Sequence, residues 1–223
     1  MTNPCRCTSN ILVSDFDGTM TRLDFYDLVC QEFPEILRLG AWEKYEAGEI
    51  THFEALRQIF SSVRSEEFRI LEILRKMEIE PKLGEVVPEL CHAGWKVVVA
   101  SAGCDWYIEK LLSRAGVQLT VYANPGEFSP ETGLAMRLPP PSDFVSPELG
   151  VNKVAVVRDA MNRSPHVAFA GDGRPDLAPA LLVPPRRRFA KSWLAKKLDE
   201  IGEGYRSFDR WSDVAEILIE EGT

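Results

Sequence analysis

Three short apolar runs, each ending in a polar or glycine-rich turn and followed by a helical pattern, restrict this chain to an α/β architecture. Ile11-Leu12-Val13 leads into Ser14-Asp15, residues 97–100 into Ser101-Ala102-Gly103, and residues 167–170 into Gly171-Asp172-Gly173. A strand wet on one face alternates apolar and polar residues; one that is apolar throughout is covered on both faces, as in a parallel sheet between helices. Candidate crossover helices occupy 84–92, 105–115 and 152–161, with Gly94 and Gly116 as stop signals. The expected fold is a doubly wound α/β domain around a mostly parallel sheet.

Residues 24–80 break that rhythm. They carry no strand pattern and read as four short helices inserted after the first strand, a separate cap module, leaving 1–23 and 81–223 as the core. Thr51 and Glu54 have capping-box spacing, and Phe53, Leu56, Ile59 and Phe60 follow the helical period. Ser65, with Glu66 and Glu67, opens a further helix whose apolar side is expected to hold Phe68, Leu71, Ile73, Leu74 and Met77. Pro81 and Gly84 mark the return to the core. Residues 121–141 predict a strand and a small β excursion turning near Glu131-Thr132-Gly133, then a loop at Pro139-Pro140-Pro141.

The remaining composition excludes several classes. With 223 residues, 45% of them hydrophobic, the chain is long enough to bury a sizeable core. A net charge of -8, with no basic run beyond Arg186-Arg187-Arg188, argues against a nucleic-acid surface. That triplet reads as a solvated loop. No apolar stretch reaches the roughly 18 residues of a membrane span, and residues 1–10 lack a signal-peptide core, so a cytoplasmic protein is expected. The cysteines (Cys5, Cys7, Cys30, Cys91 and Cys104) show no disulfide-scaffold spacing. Cys5 and Cys7 offer two zinc ligands without a second pair, which predicts a reduced segment rather than a metal site. His52, His92 and His166 fall at no ligand spacing. The tryptophans, Trp42 among them, are expected to pack, although Trp106 is close enough to Ser101 in sequence to line a pocket.

The chemistry lies in the three turns, because sites in open α/β sheets form beyond the carboxyl ends of the strands. Asp15 and Asp17 occupy the first turn, Ser101 with the backbone N–H groups of Ala102 and Gly103 the second, and Asp172 and Asp176 the third. Lys153, near the start of a helix, can add a positive charge. These parts suit phosphoryl transfer, which needs positioning and cations more than elaborate covalent chemistry. Mg²⁺ favours carboxylates, waters and a substrate phosphate. One carboxylate can attack phosphorus while a second handles the proton of the leaving alcohol.

Asp15-Phe16-Asp17-Gly18-Thr19, Ser101, Lys153 and Gly171-Asp172-Gly173-Arg174-Pro175-Asp176 together resemble, in order, the four motifs of haloacid dehalogenase superfamily phosphatases. The resemblance implies Asp15 as nucleophile and Mg²⁺ ligand, and Asp17 as general acid/base whose carbonyl also ligates the metal. It implies Asp172 as a further ligand, Ser101 and Lys153 as phosphate holders, and Asp176 as the residue orienting the metal's surroundings. The helical insert is similar to that of the phosphoserine phosphatase branch. By that likeness Arg57 would take a substrate carboxylate and Asp24 an amino group, although Asp24 stands where that branch carries Glu. Residues 189–194 and 205–208, with Tyr122-Ala123-Asn124, look like the methionine-salvage phosphatases instead. The implied partner is a small phosphorylated metabolite. A phosphotransferase or mutase using the same aspartate, or a catalytically silent phospholigand binder, are the alternatives.

Overall fold

The computed structural model describes residues 10–222 and is built on a six-stranded, all-parallel sheet. Its strands are β1 (Asn10–Ser14), β2 (Trp95–Cys104), β3 (Thr120–Asn124), β8 (His166–Gly171), β9 (Arg188–Ala190) and β10 (Arg206–Ser207). Two antiparallel pairs stand apart from it: β4 (Gly126–Ser129) with β5 (Gly133–Met136), and β6 (Val145–Ser146) with β7 (Gly150–Val151). The spatial order β10-β9-β8-β1-β2-β3 puts β1 at the centre. Asn10 is in register with Trp95 on one side and with His166 on the other.

The two-residue period of β1 decides the layers. Leu12 faces a cluster shared with α5 (Leu83–His92), α6 (Asp105–Arg114) and α10 (Trp211–Gly222), where Leu90, Leu111 and Leu218 are buried. Ile11 and Val13 face the opposite cluster, against α7 (Lys153–Arg163), α8 (Leu177–Ala180) and α9 (Ser192–Glu200). The doubly wound α/β fold expected from the apolar runs is therefore the fold observed. Trp211 is fully buried on the first face and donates its indole N–H to Ser14 Oγ at 3.0 Å.

Between β1 and β2 lie α1 (Phe25–Glu32), a 3₁₀ segment (Pro34–Leu39), α2 (Ala41–Glu46), α3 (His52–Ser61) and α4 (Glu67–Lys76). Thr51 caps α3, its hydroxyl accepting the Glu54 N–H at 3.1 Å. Glu54 does not complete the box, since its carboxylate holds Arg57 and Gln58. In α4 the buried stripe is Ile70, Ile73 and Leu74 with Met77 beyond it. Phe68, expected on that stripe, is 64% exposed because it precedes Ile70 by two residues and so points to the other side of the helix. A bridge between Thr21 and Ile79 closes the neck of the insert.

The insert is not separate in its packing. Phe25 of α1 stacks on Tyr107 of α6 at 4.4 Å and meets Phe60 of α3 edge-on at 5.1 Å. The β4–β5 hairpin presses on α3: a Cβ on Gly133, at φ +65°, would stand 2.7 Å from the Phe60 carbonyl oxygen. One apolar cluster thus runs from the sheet into the inserted helices.

The basic triplet also departs from expectation. Arg188 opens β9 and is buried, donating to the carbonyls of Ala180, Val183 and Gly204 and pairing with Glu203 at 2.8 Å. Arg187 lies over the Trp95 ring and pairs with Glu221. Of the three only Arg186 is exposed, in the 3₁₀ turn Pro185–Arg187 that leads into β9. Cys5 and Cys7 lie outside the described residues; Cys104 is buried, as its small apolar side chain predicts.

Because the cluster is shared, Ile73→Ala is expected to cost about 2–5 kcal/mol of global stability while urea unfolding stays a single transition. Far-ultraviolet circular dichroism and tryptophan fluorescence should give coincident midpoints; two resolved transitions would show that the insert unfolds by itself.

Candidate active site

The chain winds from β1 out to β3 on one side of the sheet and from β8 to β10 on the other, so β1 flanks the switch point where a crevice opens. Asp15 follows directly from β1, its N–H donating to the Ala170 carbonyl of β8 at 2.9 Å, and its side chain is buried. Phe16 turns into the core, which returns Asp17 to the crevice. Gly18, at φ +68°, completes the turn; a Cβ there would sit 2.6 Å from a carboxylate oxygen of Asp172. Thr19 then donates its hydroxyl to Asp172 Oδ1 at 2.9 Å.

Lys153 joins these turns. Asn152 caps α7 through its side chain, placing Lys153 at the first helical position. The ammonium is buried and donates at 2.7 Å to both Asp15 Oδ1 and Asp176 Oδ1. The other oxygen of Asp176 accepts the backbone N–H groups of Asp172 and Gly173, at 3.1 and 2.9 Å. Asp176 is therefore a brace between the lysine and the third turn.

Ser101 to Gly103, expected in a turn, instead lie within β2, where the register against β3 shifts between Ala100 and Cys104, and they are held differently. Ser101 Oγ accepts the Gly103 N–H at 2.9 Å and points its own hydroxyl at Asp17 Oδ2, 3.3 Å away. Tyr107 donates to the same oxygen at 2.7 Å. Gly103 is needed there, since a Cβ would overlap the Tyr107 hydroxyl. Asn124, at the end of β3, donates to the carbonyls of Ala102 and Leu149 and fixes the end of β2 from behind.

Charge crowding shapes the protonation of the site. Burial, together with Asp176 and Asp172 nearby, pushes the Asp15 carboxyl well above the usual range against the pull of Lys153. Burial and Asp176 raise Asp172 to about 7. Asp17 is raised by burial, offset in part by the hydrogen bonds from Tyr107 and Phe25. Burial alone would lower the Lys153 ammonium, but Asp15 and Asp176 raise it, so it stays charged. Carboxylate oxygens of Asp15, Asp172 and Asp176 lie within 4.8 Å of one another, a spacing able to hold a hard cation.

The site opens into a cavity of about 400 Å³ between the sheet and the inserted helices. Asp15, Asp17, Ser101, Ala102, Gly103, Lys153, Asp172 and Asp24 all line it, and Asp24 also caps α1 by accepting the Tyr26 N–H at 2.7 Å. Arg57 does not. It is exposed and makes a two-pronged ion pair with Glu54, one turn back on α3, and the helix turns that face away from the cavity. Trp106 is also elsewhere, packed on Phe128 with Lys110 over its ring, because α6 directs Tyr107 rather than Trp106 inward.

Several lining residues were not expected. Trp42, Tyr45 and His52 form one wall; His52 is buried, and burial depresses its imidazole to about 4. Arg174 and Trp193 come from the core side. The Trp42–Tyr45 spacing on α2 carried a signal for one shared face, but which face meets the site depends on how the insert folds back.

A parallel sheet with an aspartate-centred site at its switch point, roofed by inserted helices, defines the class of this chain: a doubly wound α/β protein of Rossmann-like plan. The haloacid dehalogenase-like hydrolase model matches residues 12–180, and the chain belongs to that family. It is 26% identical over 215 residues to a 2-hydroxy-3-keto-5-methylthiopentenyl-1-phosphate phosphatase of Brevibacillus brevis, covering 93% of this chain and 94% of that one. A Bacillus pumilus phosphatase of the same name is 23% identical, covering 92% and 88%. Among solved structures, a phosphoserine phosphatase from T. onnurineus aligns at a TM-score of 0.65 with 17% identity, over 98% of each chain. A phospho-aspartyl intermediate analogue of phosphoserine phosphatase aligns at 0.62 with 15% identity, over 92% of this chain and 97% of that one. No described helix is long and apolar enough to cross a membrane.

The raised Asp172 carboxyl has a stability consequence. Between the ordinary carboxylate range and about 7, the folded chain keeps a proton that the unfolded chain has released. This group's contribution to unfolding free energy therefore declines as pH rises through that window. In EDTA, the loss of Tm between about pH 5 and about pH 8 is expected to be smaller in Asp172→Asn than in wild type. An equal loss in both would show that Asp172 titrates ordinarily.

Proposed function

We propose that this chain hydrolyses a small phosphomonoester with the help of Mg²⁺, through an aspartyl-phosphate on Asp15. The observation that carries this reading is the division of labour between two carboxylates one residue apart. Asp15 is gripped by the Lys153 ammonium at 2.7 Å and faces Asp172, whereas Asp17 meets only neutral donors, Tyr107, Ser101 and the Phe25 N–H. An ammonium beside a carboxylate suits a nucleophile that receives a phosphoryl group; burial without a cationic partner, opposed in part by the donated hydrogen bonds, favours a carboxyl that holds a proton.

Asp15, Asp172 and the Asp17 carbonyl would hold Mg²⁺, in keeping with the close approach of carboxylate oxygens and their raised affinity for protons. When bound, the cation would add positive charge against the phosphoryl oxygens. The remaining work belongs to the chain. Lys153, the Ser101 hydroxyl and the N–H groups of Ala102 and Gly103 are placed to take the phosphate. Asp15 attacks phosphorus in line, and the ester oxygen leaves with the proton of Asp17. Asp17, now ionised, takes a proton from water as that water attacks the phospho-aspartate, which releases phosphate and restores Asp15. Tyr107 keeps Asp17 aimed at the reacting oxygen in both halves. The inserted helices, read as a cap over 24–80, exclude bulk water.

The substrate is a phosphorylated metabolite of the size taken by methionine-salvage or phosphoserine phosphatases. Phosphate release from p-nitrophenyl phosphate is expected with Mg²⁺ and not with EDTA. Asp15→Asn should lower it by roughly a thousandfold or more; retained turnover would reassign the nucleophile. Since Arg57 is occupied by Glu54, Arg57→Ala is expected to leave KM unchanged for carboxylated and neutral esters alike, and a selective rise for the former would return Arg57 to the site.

A further inference from the structure

His52 is a costly residue where it stands. It is 8% exposed on the insert wall of the cavity, meeting the Trp42 ring edge-on at 5.7 Å and the Tyr45 ring at 5.2 Å. Its Nδ1 is sealed from solvent and has no hydrogen-bond partner among the described residues. A phenylalanine would make the same ring contacts without leaving a buried polar atom unanswered, which is unfavourable. Packing alone therefore does not account for an imidazole.

The sealed nitrogen decides where the proton sits. Burial, with Lys153 nearby, lowers the imidazole to about 4, so at neutral pH only one ring nitrogen carries hydrogen. On Nδ1 that hydrogen would bury a donor with no acceptor; on Nε2 it leaves only a lone pair unanswered, the lesser penalty. The hydrogen therefore belongs to Nε2, the nitrogen through which His52 can reach the cavity it lines. No acceptor among the described residues takes it.

The start of α3 is tied to the core, which fixes that donor relative to the phosphate holders. Glu148, in the turn between β6 and β7, accepts the His52 N–H on its carboxylate at 3.2 Å and the Phe53 N–H on its carbonyl at 2.8 Å. The same stretch of chain runs on through β7 to Lys153. Attacking and leaving oxygens lie in line at phosphorus. Asp15 approaches from the sheet, so the leaving group extends towards the insert, where Leu56 and Phe60 flank His52 with apolar surface.

We propose, resting on the phosphatase reading above, that His52 is a specificity residue whose Nε2–H is donated to an uncharged oxygen, a carbonyl or hydroxyl, on the leaving group of the substrate. A methylene in that place would leave the N–H unsatisfied, and an ammonium would set donor against donor. The phosphoryl oxygens have their own holders in Lys153, Ser101 and the N–H groups of Ala102 and Gly103.

The test uses two esters of one shape. Phenacyl phosphate carries a carbonyl oxygen where 2-phenylallyl phosphate carries a methylene. With Mg²⁺, kcat/KM is expected to favour phenacyl phosphate in wild type, and the ratio between the esters should fall about tenfold in His52→Phe. The change in ratio is the readout, because the two alcohols differ in acidity in every variant alike. His52→Gln, whose amide N–H can take the place of Nε2–H, should keep most of the preference. An unchanged ratio in His52→Phe overturns the proposal; if both rates then fall together, the N–H serves the phosphate instead. A second readout needs only the wild-type chain: two-bond ¹H–¹⁵N correlation spectra should show His52 as the Nε2–H tautomer at pH 7, and the Nδ1–H tautomer or an imidazolium overturns the proposal. Turnover of p-nitrophenyl phosphate with neither test ester cleaved would sink this inference and leave the phosphatase standing. Failure on all three esters would bring down both.

Discussion

The rest of the site depends on one buried ammonium. Three carboxyls, from Asp15, Asp172 and Asp176, converge where β1 and β8 end, and packing them together is unfavourable without a cation. Lys153 supplies it from the start of α7, donating equally to Asp15 and Asp176. This contact ties three distant stretches of chain to one point. It also makes Asp176 a structural brace: with one oxygen on Lys153 and the other on two backbone N–H groups, it holds the third turn in shape. The phosphoryl transfer proposed above would draw on the same ammonium that the fold needs.

The carboxyl end of β2 works by a contrasting principle. Asp17 has no cationic partner and is steered by neutral donors, with Tyr107 the shorter contact. Gly103 permits this approach, and Asn124 anchors the end of β2 from the next strand. One aspartate thus stands beside a buried ammonium and two further carboxyls and its neighbour in a shell of neutral donors, though they are separated only by Phe16. The alternation of a strand running into a turn produces that separation, because Phe16 takes the buried position between them.

Much of the core was legible because a buried parallel strand has few other readings. The apolar runs at β1, β2 and β8 announced a sheet covered on both faces, and the polar turns after them had to gather at one edge. The short strands β9 and β10 had no such signature. Three and two residues carry no periodicity, and Arg188 at the head of β9 reads as surface until the carbonyls of Ala180, Val183 and Gly204 are seen around it. In the insert, helical spacing identified α3 and α4 but placed Phe68 on the wrong side by two residues. Arg57 was drawn towards a substrate by its likeness to another branch, yet Glu54 lies one turn away and captures it.

The local pattern of residues determined which side chains would stand at strand ends, because a covered strand and the turn that follows it are decided over a few neighbouring positions. Asp15, Asp17, Ser101, Asp172 and Asp176 belong to that kind of information. Only the tertiary structure decided what surrounds them. Lys153 reaches Asp15 across 138 positions of sequence, and Tyr107 reaches Asp17 across 90. The aromatic and acidic lining of the cavity arises from helices that fold back over the sheet through a shared apolar cluster. Such contacts depend on packing angles between elements, which no short window of sequence encodes.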